Sequence, residues 1–452
     1  MTKSDFRFIH TADPHIDSPL RGLDDYEGAP VDEIRGATRK AFSSMVDLAV
    51  DEQVDFVLIA GDLFDGRWED YATAIWVDRQ FQRLKTAGIS AFLVLGNHDA
   101  ASRIEHGIRW PSNVHVFATD AATTQLIEPL GVALHGQSYA RMSETNDLAK
   151  KYPARVDGFF NIGLLHTSLT GFEGHENYAP TSLATLISHR YDYWALGHVH
   201  QRSIVNADQP LICFSGNMQG RHIRETGEKG VFLVTVQSGK IVEHEFRPVD
   251  HMRWHTLEIS LAPDDDKTEL LEKLETEFDR LSQAADGRLV AVRVTVTGMT
   301  PLHAKTTQPQ LLGQLIDEIR MAGQRSRHFV WVEDVVFRTR PVIDLDEIRE
   351  SSGLQCELLR LTDAWLESIA PQNNAASGET NSEITDDELS RRLDAWLEHF
   401  ENWLKSRSKV LPQDEGGRLL LNLRDAELRR QWLAESQQIL INALMTGSDI
   451  ES

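Results

Sequence analysis

The sequence predicts an α/β protein. Three observations carry that expectation. Apolar, β-prone runs alternate with amphipathic helical patterns up to about residue 250. Five of those runs end in short motifs of Asp, His, Asn and Gly. The hydrophobic fraction, 41%, is enough to build a core beneath them. The runs are Phe6 to Ile9, Val54 to Ala60, Ala91 to Leu95, Phe159 to Leu165 and Tyr191 to Leu196. The motifs that follow them are Asp13-Pro14-His15, Gly61-Asp62, Gly96-Asn97-His98-Asp99, a lone His166 and Gly197-His198-Val199-His200. Ligands gathered at strand ends are held by loops on a rigid sheet.

The remaining elements follow in order. Residues 33 to 52 show helical periodicity with Ile34, Ala41, Met45 and Leu48 on one face, and residues 69 to 87 do so with Ile75, Trp76, Phe81 and Leu84. Leu211 to Phe214 and Gly230 to Val236 read as further strands, completing a first domain over 1–250. Between 251 and 342 the rhythm becomes strand (Arg253 to Leu261), helix (Thr268 to Leu281), strand (Leu289 to Thr297), helix (Gln310 to Met321) and strand (Phe329 to Arg338), a small second α/β domain. Asp264, Asp265 and Asp266 sit where a helix start favours negative charge. Arg320, Arg325, Arg327, Arg338 and Arg340 crowd its end, either as a basic patch or as a solvated face with ordinary ion pairs. A helical connector is expected over 343–370, with Leu354, Leu358, Leu361, Trp365 and Ile369 on one side. A polar stretch over 371–384 has almost nothing to bury and reads as a flexible linker. Residues 385–447 read as a helical hairpin with stripes through Trp396, Phe400, Trp403 and Trp432. Two such helices make little core of their own, so the hairpin is expected to pack on its own chain, a twin subunit or a partner.

Bulk composition narrows the function. At 452 residues the chain suggests two or three domains. A net charge of −23 argues against coating nucleic acid by bulk charge, because non-specific binding draws on Lys and Arg. Cys213 and Cys356 lie far apart with no CxxC, so neither a disulfide framework nor a zinc ribbon is indicated. No apolar signal core follows Met1 and no stretch approaches the ~20 apolar residues of a membrane span; a cytoplasmic protein without membrane contact is expected.

The motifs read as ligands for two metal ions. In an extended strand, residues two apart point to one side, so Asp13 with His15, and His198 with His200, are expected to face a common site. The glycines before Asp62, Asn97 and His198 are expected to let the backbone turn tightly. Imidazoles, carboxylates and one amide oxygen without thiolate suit manganese, iron or zinc. Two divalent ions outweigh the carboxylates of Asp13 and Asp62, leaving a cationic pocket on an acidic protein, suited to a phosphate. Paired ions ~3.5–4 Å apart generate a nucleophile and brace an in-line displacement.

The motif series D-x-H, G-D, G-N-H-D, H and G-H-x-H resembles that of calcineurin-like metallophosphoesterases over about residues 6 to 236. That resemblance implies a β-sandwich flanked by helices. It also implies one metal held by Asp13, His15, Asp62 and His200 and another by Asp62, Asn97, His166 and His198, with Asp62 bridging. His98 would then assist the leaving group, with Asp99 orienting it. Within the superfamily, Phe8 to Asp13, Asp17-Ser18-Pro19, Gly61 to Asp65, Ser215 to His222 and Arg253-Trp254-His255 look like the SbcD/YhaO-like DNA repair exonucleases.

This second resemblance implies a manganese-dependent nuclease acting on double-stranded DNA ends. Its second domain would cap the site, its C-terminal helices would dock on an SMC-type ATPase of the SbcC/YhaN-like kind, and the chain would form a homodimer. A phosphoesterase for a small nucleotide and a DNA-end scaffold with a vestigial metal site are the rival readings. Asp65 stands where archaeal and eukaryotic members usually carry a histidine, which removes a second possible proton donor, and Pro14 fixes φ inside the D-x-H motif. Arg21, Arg103, Arg202, Arg221 and Arg224 border the motifs and are candidate contacts for DNA phosphates. His10 is expected to be a buried, hydrogen-bonded histidine and Cys213 a small core residue. Glu173, His175 and Glu176 are expected in a polar loop beside the substrate, not around a third metal.

Overall fold

A computed structural model describes residues 5–18, 30–65, 71–101, 109–169, 178–327, 329–342 and 349–350. The expected linker and C-terminal hairpin, Arg21, Arg103 and the loop with Glu173, His175 and Glu176 fall outside the described residues, as does the expected connector apart from 349 and 350.

The architecture is mixed α/β, built on two six-stranded sheets. The first orders its strands β12 (Lys240–Pro248), β11 (Gly230–Gln237), β1 (Phe6–Thr11), β2 (Phe56–Ala60), β3 (Ser90–Val94) and β4 (Val114–Val116). From β1 through β4 neighbouring strands are parallel, while β11 pairs antiparallel with both β1 and β12. The second sheet runs β5 (Thr123–Ile127), β6 (Val132–Gly136), β7 (Phe160–His166), β8 (Tyr193–Gly197), β10 (Leu211–Phe214) and β9 (Ser203–Asn206). Its four central strands are parallel and its two edges antiparallel.

Strand alternation sorts the cores. Phe6, Phe8, Phe56, Leu58, Phe92 and Val94 point from the first sheet onto Leu134, Phe160, Ile162, Leu164, Tyr193 and Cys213 of the second, filling the sandwich. Phe8 stacks on Phe56 with centroids 5.1 Å apart and meets Tyr193 edge-on at 5.2 Å. On the outer side of the first sheet, Ile9, Val57, Ile59, Ala91 and Leu93 pack under α1 (Val31–Asp51) and α2 (Tyr71–Thr86). The buried stripe of α2 is Thr73, Val77, Gln80, Phe81 and Leu84. Ile75, expected on that stripe, is exposed, because it lies two residues from Val77 and so about 200° around the helix. Five strands, β4, β5, β6, β9 and β12, carry no motif and were not anticipated from the sequence.

The second α/β segment is a three-stranded sheet ordered β13 (Met252–Leu261), β14 (Leu289–Met299) and β15 (Val330–Arg340). It is accompanied by α5 (Lys267–Ala284) and α7 (Pro309–Arg325), the shorter helices along the chain being α3 (Asn97–Ala101), α4 (Leu183–Ser188) and α6 (His303–Thr306). Asp266 caps α5, accepting from Thr268 N while Glu269 reaches back to Asp266 N, a capping box that fixes the helix start. Met252, Trp254, Ala291 and Trp331 form one apolar cluster with Ile34 and Ala37 of α1. This sheet, apart from its strand ends at 298–299 and 339–340, and the two-sheet core belong to one compact unit comprising Met1–Leu261, Asp265–Thr297 and Lys305–Arg338. The other described residues, among them 262–264, 298–304 and 339–342, group separately; there Thr300 N donates to Arg340 O and His303 Nδ1 meets Thr339 Oγ1 at 3.1 Å. Of the arginines that crowd the end of the second α/β segment, Arg325 and Arg327 precede β15, Arg338 lies eight residues along it, about 26 Å from its start, and Arg320 is 3.8 Å from Asp317.

His10 is fully buried, its Nδ1 2.8 Å from Tyr193 Oη and its Nε2 3.2 Å from Leu196 O. Burial pushes its pKa from 6.5 down to about 3. The folded chain therefore keeps His10 neutral where the unfolded chain protonates it. Its contribution is intact above pH 6.5 and declines as pH falls towards 3, by about 1.4 kcal/mol per pH unit. Urea unfolding at pH 7 and pH 5 is expected to show lower stability at pH 5, with a flatter dependence in His10→Gln; an unchanged slope in that variant would remove His10 as the cause.

Candidate metal centre

The five motifs reach one place because each sheet delivers parallel strand ends. β1, β2 and β3 are parallel neighbours in one sheet, β7 and β8 in the other, and β2 packs across from β7 and β8. At this end the sheets come close. His166 Nδ1 is 2.9 Å from Ala60 O, and His198 N donates to both Asp13 oxygens at 3.0 and 3.2 Å.

The local conformation differs from the expected extended pairs. β1 ends at Thr11, and Asp13 and His15 have φ of 50° and 42°. Beyond the regular ladder, Asp13 N, His15 N and Ile16 N donate to Gly61 O, Asp62 O and Leu63 O, each at 3.0 Å. Asp62 (φ 52°) and His198 (φ 98°) are left-handed too. Side chains are therefore aimed by turns and not by the pleat. Such residues cost about 1–3 kcal/mol each and persist only where the surroundings over-determine them. Of the three motif glycines, only Gly61 has the positive φ of a tight turn. Gly96 and Gly197 are needed for close approach: a Cβ at Gly96 would lie 2.3 Å from Asp62 Oδ1 and one at Gly197 1.8 Å from Ala60 O.

Asp13, His15 and His200 place ligand atoms within 4.8 Å of one another, and so do Asp13, Asp62 and His166. His15, Asp62 and His98 form a third such group. Asp13 is common to the first two groups, while Asp62 belongs to the second and third, its Oδ2 3.4 Å from His166 Nε2 and 3.8 Å from His15 Nε2. Asn97 Oδ1 is 2.9 Å from His166 Nε2. The His198 ring lies outside these three groups, with its centroid 5.2 Å from that of His166.

The donor set suits a pair of cations. His15 Nε2 and His200 Nε2 face each other at 3.1 Å. The Nδ1 of His200 lies 2.6 Å from Glu225 Oε1, and that of His15 lies 3.3 Å from Asp65 Oδ1. Carboxylates thus lie on the Nδ1 side of both rings while the two Nε2 atoms converge beside Asp13, the side on which a cation would be held. Burial, helped by Arg221, pushes the His15 pKa down to about 3, so the ring is neutral as a ligand must be.

Buried charge explains the other shifts. Burial pulls the His166 pKa down, but the charge and hydrogen bond of Asp62 outweigh it and lift it to about 9. Burial pushes Asp62 up, and the same partnership with His166, aided by His15 and His98, holds it well below the carboxylate range. Burial raises Asp13. Burial, followed by the charge of Asp62, raises Asp99 to about 7 against three backbone donors. Burial lowers His98, yet Asp65 and Asp62 raise it on balance.

Asp99 does not face His98. Its carboxylate accepts from the backbone N–H of Leu63, Phe64 and Gly96, pinning the β2 and β3 loops together. Asp65 Oδ1 instead lies 3.0 Å from His98 Nδ1, and Asp65 also accepts from Ser18 Oγ at 2.6 Å. Glu225 and Lys229 escaped the sequence reading. Glu225 backs His200, and buried Lys229 donates to His200 O at 2.9 Å. A carboxylate 25 residues from its histidine has no periodic signal; only its nearness to the Ser215 to His222 run hinted at it. Among the candidate DNA contacts, Arg202 and Arg224 are exposed, with Arg202 3.9 Å over the Phe246 ring. Arg221 is nearly enclosed, between Asp65 and Glu225.

Fold and site together define a phosphoester hydrolase with a two-metal centre. Residues 6–202 match the calcineurin-like phosphoesterase family and residues 254–340 the middle domain of metallophosphoesterase YhaO. The chain is 34% identical over 331 residues to the uncharacterized metallophosphoesterase YhaO of Bacillus subtilis (strain 168), spanning 73% of this chain and 80% of that one. It belongs to the calcineurin-like metallophosphoesterases, among the YhaO proteins. Two solved structures are similar in part. A Thermus thermophilus protein matches at 15% identity over 52% of this chain and 100% of its own, with a TM-score of 0.30. A dimetal phosphatase from Danio rerio matches at 13% over 51% and 93%, with a TM-score of 0.32.

Two measurements probe the centre. Because metal must displace a proton from His166 at neutral pH, loading the stripped protein at pH 7 is expected to release protons and to tighten as pH rises towards 9. Calorimetry in buffers of different ionisation enthalpy reads this, and buffer-independent heats would contradict it. Gly96→Ala, which drives a methyl into Asp62 and His166, is expected to remove metal while leaving the circular dichroism of the fold in place; elemental analysis finding two ions per chain would refute the close-approach argument.

Proposed function

We propose that this chain is a manganese-dependent nuclease that hydrolyses phosphodiester bonds at double-stranded DNA ends in break repair, working as a homodimer with an SMC-type ATPase. The observation that carries the reading is the seat of the second α/β segment beside the metal centre. Trp254 of β13 donates through Nε1 to Gly220 O, and Gln219 exchanges hydrogen bonds with the backbone of His251 and Met252. Gly220 immediately precedes Arg221, which contacts Asp65 and Glu225 at the centre. A hydrolase of small nucleotides needs only a pocket; a folded segment bordering the centre, with Arg202 and Arg224 exposed nearby in sequence, suits a longer polyanion. The local positive charge of bound ions and arginines offsets the acidic background in this reading.

Two divalent ions, when bound, hold the phosphate and activate the attacking water. The chain's own residues do the rest. Asp13, His15, Asp62, Asn97, His166, His198 and His200 are the residues that would hold the ions. His98, with 40% of its side chain exposed and Nδ1 against Asp65, would supply the proton to the departing sugar oxygen. No helix among the described residues is long and apolar enough to cross a membrane.

His98→Ala is expected to lower hydrolysis by about 10²–10⁴-fold while metal and DNA binding persist; near-normal turnover would remove His98 from the chemistry. End-labelled duplex DNA, supplied with manganese or magnesium, is expected to be cut far faster than a chromogenic phosphodiester. The reverse preference would favour a small-nucleotide substrate, and no cleavage of either with both ions bound would favour a scaffold role.

A further inference from the structure

Arg221 occupies a different position from the exposed arginines near the motifs. Its side chain is 14% exposed, and its guanidinium spans two carboxylates: Nη1 lies 3.6 Å from Asp65 Oδ1 and Nη2 3.3 Å from Glu225 Oε1. Each carboxylate lies behind one imidazole of the same candidate ligand group, Glu225 by a hydrogen bond and Asp65 by an ionic contact, and Arg221 Nη2 is itself 3.3 Å from His200 Nδ1. Glu225 Oε1 is 2.6 Å from His200 Nδ1, and Asp65 Oδ1 is 3.3 Å from His15 Nδ1. The opposite nitrogens of those two rings are the ones that converge at 3.1 Å. Glu225 is itself fixed, its Oε2 accepting from Arg221 N at 2.7 Å and from Asn217 Nδ2 at 2.9 Å.

From this geometry we propose that Arg221 is a positioning residue: it ties Asp65 to Glu225 and thereby sets the ring orientation of His15 and His200, selectively supporting the ion that these share with Asp13. A guanidinium spans the pair with two different nitrogens held in one plane, Nη1 towards Asp65 and Nη2 towards Glu225, whereas an ammonium offers all its donors from a single nitrogen. Carboxylates behind metal-binding histidines fix tautomer and ring angle, and their loss typically costs about 10- to 100-fold in metal affinity. His166 rests on a different support, the Ala60 carbonyl, so the second ion is independent of this brace. The assignment also places Arg221 against protein carboxylates instead of substrate phosphate.

The inference rests on the two-ion reading of the centre and not on DNA as substrate. Full-length protein, stripped by chelator and titrated with Mn²⁺, tests it by calorimetry and by manganese spin resonance without any turnover. The native chain is expected to take two ions. In Arg221→Ala and Glu225→Ala one ion is expected to weaken about 10- to 100-fold while the other stays within about twofold. Glu225→Asp is expected to recover part of the loss. Arg221→Lys, the variant least disturbing to folding, is expected to behave like Arg221→Ala. Native-like affinity for both ions in Arg221→Lys and Arg221→Ala would overturn the proposal, as would equal weakening of both ions in the two variants. A native chain that takes fewer than two ions would defeat the two-ion reading and this inference with it.

Discussion

The structure turns on the close approach of two sheets at one end of the sandwich. Ala60 O, at the end of β2, receives His166 Nδ1 from β7 at 2.9 Å, and Gly197, at the end of β8, leaves no room for a side chain against that same carbonyl. Large rings fill the layer deeper in the sandwich: Phe6, Phe8, Phe56, Phe92, Phe160 and Tyr193 hold the sheets apart there. Glycine at the motif end lets them meet. The approach that joins the sheets also brings histidines from one to carboxylates from the other.

That approach creates an electrostatic problem and its solution. Asp13, Asp62 and Asp99 are buried close together on an acidic chain, an arrangement with high desolvation cost unless each charge is answered. Asp99 is answered by three backbone N–H groups, Asp62 by His166 and its neighbours, and Asp13 in part by the His198 N–H. His15, His200 and Asp13 bring ligand atoms to within 4.8 Å of one another, a set for which a divalent cation is the natural counter-charge. Left-handed backbone at Asp13, His15, Asp62 and His198 is held in place by these bonds and by full burial.

The centre is not isolated from the second α/β segment. The loop between β10 and β11 carries Asn217, Arg221 and Glu225 towards His200, and Gln219 and Gly220 towards β13. A single stretch of irregular backbone therefore holds the rear of the ligand shell and anchors the neighbouring sheet. Such loops carry function when a rigid scaffold positions them, and here two sheets share that task.

Much was legible in the sequence because it depends on local periodicity and residue chemistry. Runs of apolar residues closed by Asp, His and Gly mark β1, β2, β3, β7 and β8, and the donor types by themselves mark a metal centre. The helical stripe of α1 and the acidic start of α5 at Asp264 to Asp266 are local signals of the same kind. Only the tertiary structure decided the rest. The edge strands β5 and β9 carry no motif, and their place depends on partners far along the chain. Asp13 and His15 reach one site through left-handed turns dictated by hydrogen bonds to Gly61 and Asp62, which strand periodicity does not foresee. Asp65, not Asp99, meets His98, and Glu225 backs His200, because the choice among nearby carboxylates is made by packing across two sheets and a loop. Residue type sets what a side chain can bind, whereas its partner is set by contacts between segments distant in sequence.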